Sequence, residues 1–152
     1  DRKIHAAGVS NYSLSQFDLL NACLEQPLAT NQVEFSLLHQ EPLTDGTLHQ
    51  CERLGIVPMV WSPLAGGKLF ALDTPASLRL TMAAESMSSR YGGATLEQLA
   101  YAWIMAHPSH PLPVIGTNKV ERIRSAAQAE SLTLEREDWY ALWEAAQGHK
   151  VP

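Results

Sequence analysis

Cysteine is scarce in this 152-residue chain. The two present, Cys23 and Cys51, have neither CxxC spacing nor the density of a disulfide-stapled secreted domain. Basic residues are in deficit too. Eleven Lys and Arg face sixteen Asp and Glu, a formal charge of -5, and no basic run occurs, so nucleic acid is not an expected partner. No apolar stretch reaches the roughly 18 residues that span a bilayer, so membrane insertion is not expected either. The opening DRKIHAAGVSN runs straight into a strand-like segment instead of a signal-peptide pattern, and a reducing, cytoplasmic setting is the expectation. GxSxG, HExxH, GxGxxG and P-loop signatures are all missing. His107 and His110 flank Pro108, which denies them a shared helical face, so no metal site is expected.

What is present is a hydrophobic content of 45%, enough for one compact domain, with no second domain boundary in the chain. Short apolar runs alternate with helical patterns. HAAGV (His5–Val9), NQVEF (Asn31–Phe35), IVPMVW (Ile56–Trp61) and LPVI (Leu112–Ile115) read as strands. The last two are apolar on both faces, which predicts a parallel sheet covered on both sides. Helices are predicted at 13–24, where Ser13 and Gln16 have capping-box spacing, and at 47–54, which ends at Gly55. Others follow at 94–107 behind Thr95, at 120–129 around Ile123 and Ala127, and at 134–147 with Trp139, Leu142 and Trp143 on one face. Residues 66–93 form a long excursion, read as a lid or an inserted helix. Repeated strand-helix units favour a parallel α/β sheet, open or closed.

Polar residues gather at the carboxyl ends of the predicted strands, the ligand-binding edge of parallel α/β folds. Ser10 and Asn11 follow the first strand, Ser62 the third, and Gly116, Thr117 and Asn118 the fourth, while Gln32 lies within the second. Any one of them alone reads more simply as a turn or helix cap. The Gly116-Thr117-Asn118 turn enters a helix bearing Arg122, so a helix N-terminus and a guanidinium stand ready for phosphate. Lys68, behind Gly66-Gly67, adds a second cation. Trp61 offers a flat face for a planar ring.

Taken together, GVSN (Gly8–Asn11), NQVEF, WSPLAGG (Trp61–Gly67) and IGTNKVERI (Ile115–Ile123) resemble the aldo-keto reductase family. ATLEQLAYAWIMAHP and LTLEREDWYALWEAA resemble the family's helix before the last strand and its C-terminal helix. Trp61 and the Ala-Gly-Gly stretch look closest to the bacterial oxidoreductase and potassium-channel β-subunit branches. The resemblance implies an α/β fold, the C-terminal half (strands five to eight) of a (β/α)8 TIM barrel, with residues 1–152 one incomplete barrel. It implies NADP(H) as cofactor. Ser10, Asn11 and Gln32 match the residues that hold the nicotinamide carboxamide, and Trp61 the residue stacked on its ring. Ser62, Leu64, Gly66 and Lys68 fall in the loop over the pyrophosphate. Gly116, Thr117 and Asn118 match the adenosine-phosphate segment, and Arg122 a 2′-phosphate ligand. Ala126 departs from the pattern, standing where many members have an Asn against adenine.

The family's catalytic Asp, Tyr, Lys and His lie on strands two to four, and none has a match here, Tyr12, Tyr91, Tyr101 and Tyr140 included. The implied whole is an NADPH-dependent oxidoreductase acting on a small-molecule carbonyl substrate, with the acid upstream of Asp1 and this stretch inactive alone. The alternatives are a non-catalytic NADP(H)-sensing regulatory subunit and an unrelated barrel with coincidental turns. A complete barrel takes about 250 residues. Half of one exposes its inner face and two strand edges, so it should need its missing half or a second copy to cover them.

Overall fold

The computed structural model describes residues 3–151. Four parallel strands lie in the order β1 (Val9–Ser10), β2 (Asn31–Glu34), β3 (Met59–Trp61), β4 (Leu112–Pro113). Between them run α1 (Leu14–Cys23), α2 (Thr47–Leu54), α3 (Pro75–Ser88) and α4 (Leu96–Met105), and α5 (Val120–Gln128) and α6 (Arg136–Gln147) follow the last strand. The register pairs Ser10 with Gln32, Gln32 with Met59, Glu34 with Trp61 and Met59 with Leu112. One face, carrying Val33 and Val60, is buried against the helices with Phe35, Leu99, Trp103 and Ile104.

The helix starts follow from local chemistry. Ser13, Thr74 and Thr95 each accept the backbone N–H three residues on, and Gln16, Ser77 and Gln98 return a side-chain bond to the cap. Gly55 ends α2 in the left-handed region at φ 66° and donates to the Cys51 and Glu52 carbonyls. The Cys51 thiol sits in this buried corner, and burial pushes it up to about 11, so it stays protonated and is no nucleophile.

Several expectations need correction. The first strand is not His5–Val9 but Val9–Ser10, and the fourth is Leu112–Pro113 instead of Leu112–Ile115. Both are edge strands with one neighbour in the described sheet, and Pro113 has no N–H to extend a ladder. The sheet is covered on one face only, and Leu112 is 55% exposed. The α5 face of Ile123 and Ala127 is not buried; Ala129, just beyond the helix, anchors it. The C-terminal helix begins at Arg136, not at 134: Glu135 is its N-cap, with extended backbone (φ -63°, ψ 150°), and its N–H donates to the Tyr91 hydroxyl at 3.0 Å.

Of the two readings of the 66–93 excursion, the structure shows the inserted helix, α3, packed into the core. Leu80, Ala84 and Met87 of α3 are buried in the core, and the helix packs against α6. The Arg79 guanidinium donates to the Ala145 and Ala146 carbonyls at 2.7 and 3.1 Å, a cation set on the last turn of α6. Arg90 pairs with buried Asp138, which also accepts from the Tyr91 hydroxyl at 2.7 Å.

Gly8 is fixed by close approach. A Cβ there would lie 2.6 Å from Thr30 Cγ2. Thr30 cannot turn away, because its hydroxyl donates to the Val57 carbonyl at 2.7 Å and accepts from the Met59 N–H at 3.2 Å. Gly8→Ala is therefore expected to lower stability by about 1 kcal/mol or more, measured as a shifted denaturation midpoint.

Candidate functional site

The site residues stand where β1, β2 and β3 end and the chain turns outward. Ser10, the last residue of β1, donates its hydroxyl to the Gln32 carbonyl at 2.9 Å, which leaves its oxygen lone pairs free to accept. The Gln32 side-chain amide has no partner among the described residues and shares the uncovered face of the sheet with Glu34, Met59 and Trp61. Asn11 adopts a left-handed conformation, φ 57°, and its side-chain oxygen accepts the Trp61 indole N–H at 2.9 Å. That bond fixes the ring of a half-buried tryptophan across two strands. Asn31, buried beneath, accepts from the Tyr12 N–H and donates to the Tyr12 carbonyl, which holds the turn after β1.

Two clefts open at this end of the sheet. One, of about 650 Å³, is lined by Asn11, Tyr12, Val33, Glu34 and Trp61 among others. The second, about 720 Å³, takes Ser62, Leu64, Gly66, Gly116, Thr117 and Arg122 together. Trp61 and Ser62, adjacent in sequence, stand one in each. Ser62 and Ala65 lie at φ 50° and 52° and Gly66 and Gly67 at 63° and 90°, so the chain turns tightly along this rim. Nothing lies within 4 Å of where a Gly116 Cβ would be, so that stretch of backbone is open to a ligand. The Thr117 hydroxyl accepts from the Lys119 N–H at 3.2 Å, and α5 starts without a side-chain cap. The Val120 and Glu121 N–H groups and the Arg122 guanidinium are exposed and have no acceptor among the described residues, which leaves them open to an anion.

The structure brings together eight of the expected residues on the two clefts, Asn11 and Trp61 in the first and Ser62, Leu64, Gly66, Gly116, Thr117 and Arg122 in the second. Ser10 and Gln32 lie next to these on the sheet but line neither cleft. Lys68 and Asn118 are exposed and outside both linings. The second cleft also draws in Phe70, Val114, Glu97 and Tyr101, which the sequence pattern does not single out. One signal was there: Glu97 and Tyr101 are polar breaks four residues apart in an apolar helix, hence on one face. Burial pushes the Tyr101 phenol up to about 12, with Glu97 adding and Arg122 opposing, so it is a neutral hydrogen-bonding group at the cleft wall. Among the described residues no group of three or more His, Cys, Asp or Glu is placed to hold a metal, and no helix is long and apolar enough to cross a membrane.

The Aldo/keto reductase family model matches residues 3–147. Oxidoreductase YdhF of Escherichia coli (strain K12) is 45% identical over 99% of this chain, which covers 50% of that protein. A 6-dehydroglucose reductase of Agrobacterium fabrum is 40% identical over 98% of the chain and 49% of its own length. The chain thus spans about half the length of the curated relatives it matches. Among solved structures, that of the thermostable aldo-keto reductase Tm1743 in complex with the inhibitor epalrestat superposes with a TM-score of 0.79 at 24% identity, over 92% of this chain and 48% of the other.

Proposed function

This chain belongs to the aldo/keto reductase family, and from that premise we propose that it is the NADP(H)-holding half of an oxidoreductase that reduces aldehydes or ketones. On this reading β1 to β4 are strands five to eight of a (β/α)8 barrel. The catalytic Asp, Tyr, Lys and His belong to a preceding half, and that half, or a second copy, covers the edges at β1 and β4 and the open face bearing Leu112. The observation that carries the reading is that adjacent residues, Trp61 and Ser62, line two clefts, one walled by a fixed indole and the other by Gly116, Thr117 and Arg122.

The residues fit an extended dinucleotide. The free Ser10 lone pairs and the unpartnered Gln32 amide suit a carboxamide, which both donates and accepts. Trp61, held by Asn11, suits a flat ring. The open Gly116 backbone and uncapped α5 suit a phosphate, and Arg122 a further phosphate by paired hydrogen bonds. Lys68 and Asn118, exposed beside the second cleft, reach a bound anion only if their side chains swing inward. When bound, the nicotinamide supplies the hydride. The chain's own residues orient the ring and hold the anionic end, and they move no proton. The names of the relatives point to an enzyme, and that of the Agrobacterium protein makes a 6-dehydro sugar a substrate to try.

The test is titration of the full-length protein with NADPH, followed by tryptophan fluorescence, together with NADPH oxidation in the presence of aldehydes and 6-dehydroglucose. Saturable binding with turnover is expected. Binding without turnover of any carbonyl would favour the sensing-subunit reading, and no binding would overturn both.

A further inference from the structure

A third cavity, of about 490 Å³, opens between α2, the His107–Pro108 turn and α6. It shares no lining residue with the two clefts. The separation is built into α4. The second cleft uses Glu97 and Tyr101 near the start of that helix, and about 12 Å of helix lies between Glu97 and Met105. The cavity is bordered by α2, which follows β2, by the turn that ends α4, and by α6, which follows β4.

Its walls are aromatic and well supported. The Trp139 ring stacks on buried Trp103 at 5.2 Å and 12°, and each indole N–H donates to the other residue's backbone carbonyl, at 2.9 and 3.1 Å. Tyr140 and Trp143 stand edge-on to Trp139 at 79° and 74° and lie 29° from each other. At this wall the Arg136 guanidinium carbon lies 5.7 Å from the centre of the Tyr140 ring. Arg136 has no carboxylate within ion-pair distance among the described residues, and no Asp or Glu lines the cavity, although the chain is acidic overall.

His107 supplies a second polar group. Its Nδ1 accepts the Ser109 N–H at 3.1 Å, so the neutral ring carries its proton on Nε2 and is a donor there. Burial holds its pKa below the ordinary value, and His49 acts in the same direction. The combination is an aromatic-walled cavity with one guanidinium that has no carboxylate partner among the described residues, two imidazoles (His49 and His107) and no acid.

We propose that this cavity binds a small planar aromatic carboxylate, its ring against Trp139, Tyr140 and Trp143 and its carboxylate on Arg136, with His107 as a neutral donor. The volume falls within the range of small-molecule sites, and the guanidinium edge matches a carboxylate with two parallel bonds. The inference stands independently of the cofactor reading.

The probe is 2-naphthoate, with 2-naphthamide as its uncharged counterpart, titrated calorimetrically into the full-length protein with and without saturating NADPH. Saturable binding of naphthoate is expected, with the amide at least tenfold weaker and that gap closed in Arg136→Gln. Ala106→Leu, which adds bulk at the cavity lining, should remove binding of both. Far-UV circular dichroism reports folding, and should Arg136→Gln fail to fold, the Ala106→Leu variant and the carboxylate–amide gap decide. Absence of saturable binding, equal affinity for the two probes, unchanged affinity in the folded variants, or displacement by NADPH would each overturn the proposal.

Discussion

Trp103→Ala is expected to lower the stability of the protein by about 3–5 kcal/mol, the largest single loss expected among the described residues. Trp103 is fully buried and packs between Phe35, at 5.2 Å, and Trp139, at 5.2 Å. Truncation leaves a large cavity at the point where the segment after β2, α4 and α6 meet. It also strips Trp139 of its stacking partner, an interaction worth about 0.5–1.5 kcal/mol beyond area burial. The polar part is smaller. The Trp103 indole bonds a carbonyl in the middle of α6 that already lies within a helix, so Trp103→Phe should cost only about 1 kcal/mol more than the change in ring size. Trp139 serves the opposite role, since its indole N–H takes the Trp103 carbonyl in the last turn of α4, where helical donors run out. Urea denaturation of the three forms separates these contributions. A Trp103→Ala loss below about 1 kcal/mol would mean that α6 does not dock on α4 in solution.

Arg122→Ala should weaken NADPH binding about tenfold while leaving NADH within a small factor. A charge-assisted hydrogen bond to phosphate is worth about 1.5–3 kcal/mol, and Arg122 is exposed at the cleft rim, which places it at the low end through solvent screening. The same exposure makes the difference salt-dependent, shrinking as ionic strength rises. Lys68→Ala is the matched control. It removes an equal charge from a residue outside the cleft lining, and it should change the NADPH to NADH ratio little. Paired fluorescence titrations with both cofactors read the result. Equal losses for the two cofactors, or none for NADPH, would remove Arg122 from a phosphate role. An effect of Lys68→Ala as large as that of Arg122→Ala would show that only total charge matters.

Glu97 sharpens this expectation. It lines the same cleft as Arg122, and the two act on the Tyr101 phenol in opposite senses. A carboxylate near an anion site lowers affinity for that anion, so part of the guanidinium's attraction is spent against Glu97. This is a second reason for the modest size assigned to the Arg122 effect.

Local pattern by itself determined much of this protein. The three Ser or Thr capping boxes, the left-handed glycine after α2 and the alternation of Asn31 to Glu34 are written within a few residues of each other, and α1, α2, α4 and β2 lie where those signals put them. Parallel pairing followed from the strand-helix alternation, because a crossover helix leaves few other connections. Tertiary structure alone decided the rest. No local signal says that α3 is a core helix clamped to α6 by Arg79, since its partners Ala145 and Ala146 are 66 and 67 residues away. Nor does the sequence say that Arg122 joins the second cleft while Lys68 and Asn118 stay outside it, because that depends on how β3 and β4 pair and where the chain turns after each. The physical reason is range: caps and periodicity act over one or two turns, whereas a cleft is made by surfaces that only packing brings face to face.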